Sequence, residues 1–301
     1  MKPNRPQHFL TLTDLPSADL LAIVRRAMVL KQDPGVAYSK PRKSLGLVFE
    51  KASTRTRVAF EVAMAQLDGH CVFLTSEASQ IGRGEPIADT ARVISAMVDC
   101  LAIRTFAHSN LEQFARYSSV PVINALSDDF HPCQILADMQ TFMEHRGDIT
   151  GARVAWIGDG NNMCQSYIKA ATIFDFQLHI ACPEGFEPAA TLVEQSTTQV
   201  TLGQDPVAAV RHADLVVTDV WASMGQELQQ SERETAFANF QVNRELMSYA
   251  DRDSLFMHCL PAHRGEEVSG EVLDAPDSVV WDQAGNRMHS QKALLEYLLQ
   301  S

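Results

Sequence analysis

Residues 44–67 read SLGLVFEKASTRTRVAFEVAMAQL. The run 44–49 is short and apolar, as a buried strand is, and 54–67 carries a helical pattern. Between them, Lys51, Arg55 and Arg57 and the hydroxyls of Ser53, Thr54 and Thr56 fall within seven residues. Ser53 is a good N-cap, and residues 54–57 form the first helical turn. That turn has free backbone N–H groups and the positive end of the helix dipole. Hydroxyls and arginines added there make an oxyanion cradle suited to phosphate. The glycine-rich GxxxxGK[ST] pattern of a P-loop is absent. A capped surface helix with solvated arginines accounts for the same residues, so the stretch by itself leaves both readings open.

The alternation continues outward. Further strands are expected at 71–75, 100–105, 120–125, 152–158, 177–182, 215–220, 254–260 and 278–282. Helical patterns cover 89–98, 132–146, 161–174, 206–213, 243–250 and 286–299, and the polar segment 222–241 reads as a mobile loop with a short helix. Short apolar runs separated by helices imply parallel sheets covered on both faces. The expected fold is α/β: two domains, each a parallel β-sheet flanked by helices, joined by interdomain helices. The helix PCQILADMQTFMEH and the turn RGDITG mark the boundary, giving domains 1–147 and 148–285, with the helix 286–301 packing back onto the first.

Composition limits the partners. The 301 residues carry a net charge of −12, which argues against nucleic acid or an anionic membrane. A small anion remains compatible with a local cationic pocket. No run of 18 apolar residues occurs, and the first residues lack the apolar core of a signal peptide. The six cysteines are scattered without CxxC pairs. They read as reduced thiols of a cytoplasmic protein, with no disulfide framework and no metal site.

In open α/β sheets, ligands bind beyond the carboxyl ends of strands. Arg104 ends the third strand, where a charge is costly without a partner. Pro132 is a typical first helical residue, leaving His131 at the cap and Gln134 in the first turn. The fifth strand ends in GDGNN, a broken dinucleotide fingerprint with Met163 in place of the third glycine. Its Asn161–Asn162 pair offers amides suited to a carboxylate or zwitterion. Asp219, at the end of the seventh strand, can pair with an ammonium group. Ser223 and Met224 follow it, and Cys259 and Leu260 tip the eighth strand. Arg287 is placed at the start of the last helix. Read singly, Arg104 is an ordinary rim arginine, His131 an ordinary cap and Cys259 a buried apolar thiol.

Taken together, STRTR (53–57), HPCQ (131–134), DVWASMG (219–225) and HCLP (258–261) resemble the aspartate/ornithine carbamoyltransferase family, with the last two closest to its ornithine branch. The resemblance implies that Ser53, Thr54, Arg55 and Thr56 hold the phosphate of carbamoyl phosphate. It implies that Arg104, His131 and Gln134 hold the carbonyl and amide ends. Gln80 (reaching a neighbouring subunit), Cys259, Leu260 and Arg287 supply further contacts. Asn162, Asp219, Ser223 and Met224 match ornithine contacts, and Arg57 a supporting role. The expected catalytic set is Arg104, His131, Asp219 and Cys259. The implied reaction carbamoylates the δ-amine of L-ornithine, giving L-citrulline and phosphate for arginine synthesis. No cofactor or metal is expected, and the partners are the two small substrates in a homotrimer with sites at subunit interfaces. A carbamoyltransferase for another amine such as putrescine, an NAD-dependent oxidoreductase built on GDGNN, and a non-catalytic paralogue are the alternatives.

Overall fold

The computed structural model describes residues 7–36, 42–76, 84–222 and 230–300. Two compact units emerge. One runs to Gln140 and takes in Gly285–Ser301; the other is Thr141–Ala284.

The first unit holds α1 (Ser17–Gln32), β1 (Ser44–Phe49), α2 (Thr54–Gln66), β2 (His70–Thr75), α3 (Ile87–Ser95), β3 (Cys100–Arg104), α4 (His108–Tyr117), β4 (Val122–Leu126) and most of α5 (Pro132–Arg146). Its sheet is parallel throughout, in the order β2-β1-β3-β4. The central strands β1 and β3 are buried almost end to end, which is why they read as unbroken apolar runs. β2 lies at the edge and leaves Val72 exposed. Val48, Leu101, Ile103, Leu111, Phe114 and Val122 form the core between strands and helices.

The second unit holds β5 (Arg153–Ile157), α6 (Asn162–Phe174), β6 (Gln177–Ala181), α7 (Ala190–Glu194), β7 (Val200–Gly203), α8 (Pro206–Val210), β8 (Leu215–Thr218), α9 (Gln230–Ala236), α10 (Arg244–Met247), β9 (Leu255–His258), α11 (Gly270–Leu273) and the start of α12 (Val280–Gln300). Its parallel sheet runs β7-β6-β5-β8-β9. Ile157, Val216, Phe237 and Phe256 anchor its core. Gly147 and Gly151, both at positive φ, shape the turn that stops α5.

Two expectations are corrected. Residues 278–282 are not a strand: Ser278 keeps one bridge to Phe256, and α12 begins at Val280. A four- to five-residue apolar run fits a buried helix start as well as a strand, and the one glycine between Val280 and residue 286, Gly285, is carried inside the helix. Arg287 consequently sits well inside α12 and not at its start. β7, at one edge of the second sheet, adds an element unexpected from the sequence. No helix among the described residues is long and apolar enough to cross a membrane.

Candidate active site

Each sheet reverses its winding direction at one place, and each time the polar motifs sit there. In the first unit the reversal lies between β1 and β3, whose ends, Phe49 and Arg104, are register partners. The STRTR turn follows one strand and Arg104 closes the other. In the second unit it lies between β5 and β8, with Ile157 opposite Thr218. GDGNN follows one and Asp219 the other. These are the positions at which doubly wound sheets hold ligands.

At the first of these, Ser53 caps α2 by accepting the Thr56 N–H at 3.3 Å. Thr54 and Arg55 are exposed, and Thr56 is buried. Thr56 Oγ1 accepts from Arg287 Nη2 at 3.1 Å, and Arg287 Nη1 donates to Gln134 Oε1 at 2.6 Å. Gln134 passes the chain on, donating Nε2 to Asp138 at 2.8 Å. Arg287, 3% exposed, thus ties the helix-start cradle to the first turn of α5. Arg104 and His131 are buried as well. Burial, reinforced by the Arg287 and Arg104 charges, holds the His131 imidazole well below the usual histidine range. His131 is therefore neutral at pH 7 and offers a hydrogen bond without adding a third positive charge.

Two cations of the opening stretch have other work. Arg57 pairs with Glu61 at 2.9 Å and lies 3.7 Å over the Phe73 ring. Lys51 is buried, forms an ion pair with Asp128 and sits 4.3 Å over the Phe106 ring. The neighbouring Glu50 accepts from the Thr105 hydroxyl, and its backbone N–H bonds Arg104 O at 2.8 Å. These contacts brace the ends of β1, β3 and β4 against one another.

At the second reversal, Asn161 caps α6, its Oδ1 accepting from Met163 N and Cys164 N. Its Nδ2 donates to Asp219 Oδ2 at 2.8 Å. Asp219 Oδ1 accepts from the Cys259 thiol at 3.0 Å and from Val220 N at 2.9 Å. The structure therefore brings Asp219 and Cys259 together, with Asn161 as the residue bracing the carboxylate. Asn162, half-buried, begins the helix next to it. Leu260 follows Cys259 at φ 58°, ahead of a cis bond to Pro261. The two glycines of GDGNN have a packing reason. Gly158 takes φ 126°, and a Cβ on Gly160 would meet Pro188 N at 2.1 Å.

Asp159, between those glycines, pairs with Arg233 at 3.0 Å, both side chains buried. Arg233 also donates to Trp221 O at 2.5 Å. Burial raises the Asp159 carboxyl to about 6 against the opposing pull of Arg233. Gln80, Ser223 and Met224 lie outside the described residues. Ligand atoms of Asp219, His258 and Cys259 gather within 4.8 Å, as do those of His263, Glu266 and Glu267. Both ring nitrogens of His258 are already committed, to Leu260 N and Glu267. Asn161, Lys51 with Asp128, Arg233 and Glu267 were not foreseen as partners. Only Asn161, an Asn directly before a helical run, carried a local signal.

An α/β protein of two parallel sheets, with a polar site at each sheet's switch point, is the class defined so far. A family profile described as the aspartate/ornithine carbamoyltransferase carbamoyl-P binding domain matches residues 7–144, and one described as its Asp/Orn binding domain matches residues 150–298. The chain belongs to the aspartate/ornithine carbamoyltransferase family. It is 62% identical to the ornithine carbamoyltransferase of Methylococcus capsulatus, covering 98% of this chain and 99% of that protein. It is 58% identical to an anabolic ornithine carbamoyltransferase of Pseudomonas aeruginosa, covering 98% and 97%. The ornithine carbamoyltransferase structure from Pyrococcus furiosus superposes with a TM-score of 0.92 at 46% identity, covering 98% of this chain and 97% of that one.

Proposed function

We infer that this chain is a carbamoyltransferase that moves the carbamoyl group of carbamoyl phosphate to the δ-amine of L-ornithine, giving L-citrulline and phosphate. The observation that carries the reading is the buried neutral His131 beside Arg104 and Arg287, with Arg287 bonded to Thr56 of the oxyanion cradle. That set suits one ligand with a dianionic end and a polarisable carbonyl.

Ser53, Thr54, Arg55 and Thr56 receive the phosphate on backbone N–H groups, hydroxyls and a guanidinium. Arg104 and His131 donate to the carbonyl oxygen, and Gln134, Arg287, Cys259 and Leu260 complete the carbamoyl contacts. Gln80, supplied by a neighbouring subunit, is the remaining contact. Asn162, Asp219, Ser223 and Met224 hold the amino acid. The neutral δ-amine attacks the carbonyl carbon, the tetrahedral intermediate collapses, the C–O bond to phosphate breaks with its electron pair going to phosphate, and the amine proton passes to the departing phosphate. Each donor on the developing oxyanion is worth about 3–4 kcal/mol. Asp219 with Cys259 orients the amine. Two held substrates suffice for direct transfer, and no covalent Cys259 adduct is invoked. No cofactor or metal enters the scheme.

The proposed setting is arginine biosynthesis in the cytoplasm, in a homotrimer. Exposed Val58 and Val62, one helical turn apart on α2, and Val72 on the edge strand β2 give the first unit apolar surface for a neighbouring copy. The test is product formation from carbamoyl phosphate with ornithine, putrescine or aspartate. Citrulline should form with ornithine at a rate far above the other two. Equal or faster turnover of putrescine would overturn the ornithine assignment.

A further inference from the structure

The HCLP turn is held from outside by a buried dyad that touches no substrate group assigned above. His258, the last residue of β9, is 1% exposed, and Glu267 is 0% exposed. Nδ1 of His258 lies 2.8 Å from the Leu260 N–H. A backbone N–H can only donate, so Nδ1 is the acceptor and the ring proton sits on Nε2. Nε2 then donates to Glu267 Oε1 at 3.1 Å. The same oxygen accepts the His263 N–H at 2.6 Å. The His258 N–H donates to Gln283 Oε1 at 3.0 Å. The two ring bonds fix the imidazole in one orientation and one tautomer, while the other two hold Glu267 and the His258 backbone in place.

What the imidazole fixes in turn is the Cys259–Leu260 peptide. With the Leu260 N–H locked onto Nδ1, the planar trans amide aims the Cys259 carbonyl the opposite way. The same turn sets the Cys259 thiol 3.0 Å from Asp219 Oδ1. Leu260 adopts φ 58°, a left-handed conformation rare for a residue of its kind and in need of outside support. Loss of the Glu267 acceptor leaves the Nε2–H buried and unpaired. The ring is then free to turn, and the turn loses its brace.

We propose that Glu267 and His258 are positioning residues for the carbamoyl transfer, Glu267 acting through His258 to hold the Cys259–Leu260 peptide and the Cys259–Asp219 contact in reacting geometry. The proposal rests on the carbamoyltransferase reading. It assigns the dyad no contact with either substrate, so its signature is larger in kcat than in KM.

Full-length variants are compared by steady-state kinetics. Glu267→Met should lower kcat roughly ten- to hundred-fold, the scale of a small misplacement of reacting groups, with a smaller rise in KM for carbamoyl phosphate, which keeps its cradle at residues 53–56. Glu267→Gln keeps an acceptor for Nε2 and should retain most of kcat. Its cost should appear in stability, because the Oε2 position is buried without a partner. His258→Asn places an oxygen where Nδ1 was and should hold the Leu260 N–H, whereas His258→Gln cannot and should lose more kcat. In the His258→Asn background, Glu267→Met should change kcat by no more than about twofold, since its effect runs through the ring. Nitrogen-15 spectra of labelled histidine should show His258 protonated on Nε2 in the unmutated protein. Wild-type kcat in Glu267→Met, the same loss in both backgrounds, equal losses for the two His258 variants, or an Nδ1-protonated ring would each overturn the proposal. If Glu267→Met does not fold, the His258 pair and the tautomer decide. Failure of the unmutated protein to make citrulline would instead sink the reaction itself, and the tautomer would stand apart from it.

Discussion

His131 shows how a single side chain acquires a property its sequence position does not give. Before Pro132 it reads as a helix cap, and its chemistry comes from burial and from two arginines distant in the chain. A neutral imidazole donating to a carbonyl stabilises developing negative charge without a proton transfer of its own. The depressed acidity also links to stability. Below about pH 6.5, the ordinary histidine value, the unfolded chain takes up a proton that folded His131 refuses. Its contribution is thus fully present above that pH and is lost as pH falls. The loss is about 1.4 kcal/mol per pH unit until the folded group titrates. A denaturant series at stepped pH should show His131→Gln losing that part of the acid slope. An unchanged slope in the variant would mean that His131 titrates normally in the fold.

Among the elements, what was legible depended on whether local pattern or distant contact decided the outcome. β1, β3, β5 and β8 were legible because central parallel strands must be apolar on both faces, as LGLVF is; β9, LFMH, ends its sheet but is buried along its whole length and reads the same way. The edge strand β7, VTLG, is half polar and four residues long, so nothing set it apart from the loop before it. The SVVWD run misled because Val280 and Trp281 fit a helix start equally well. In the candidate sites, Ser53, Arg104, His131, Asp219 and Cys259 stood out as polar residues at strand ends. Their partners Asp128, Glu267 and Arg233 were not, since each is brought in by tertiary packing. Arg233 makes the point testable. It stands on α9, bonded to Asp159 in the β5–α6 turn and to the Trp221 carbonyl. Arg233→Met leaves Asp159 buried without its cation, at a cost of about 3–5 kcal/mol when the carboxylate is ionised. Asp159 titrates at about 6 in the intact fold, and removing Arg233 pushes it higher. At pH 8 the variant must carry a bare buried carboxylate or bind a proton. At pH 5 Asp159 is largely protonated with or without Arg233. Urea unfolding should therefore show the larger loss at pH 8, and equal losses at the two pH values would contradict the ion-pair account.

For the whole molecule, the chain's last segment completes the unit its first residues begin. α12 places Leu294, Leu295 and Leu298 in the interior. It also sends Glu296 to Arg26 at 2.7 Å, Tyr297 to Asp19 at 2.8 Å and Lys292 to Gln66 at 3.0 Å. With Arg287 on Thr56 and Gln134, one helix both closes the first unit and ties the start of α2 to the first turn of α5. The local positive charge in a chain of net charge −12 is thereby assembled from segments more than two hundred residues apart. The buried cluster of the second unit, Thr141–Ala284, is built from residues 155–280. A cavity at Leu295, whose side chain is fully buried, should therefore act on one unit. Leu295→Ala should cost about 2–5 kcal/mol of local stability. In hydrogen exchange read by mass spectrometry, protection should fall across β1, β3, β4 and α2 and hold across β5, β8 and β9. The variant should also bind carbamoyl phosphate more weakly, because Arg287 lies two turns away on the same helix. Equal deprotection of both sheets would show that the two units unfold as one, and the helix would then have to be counted as part of both.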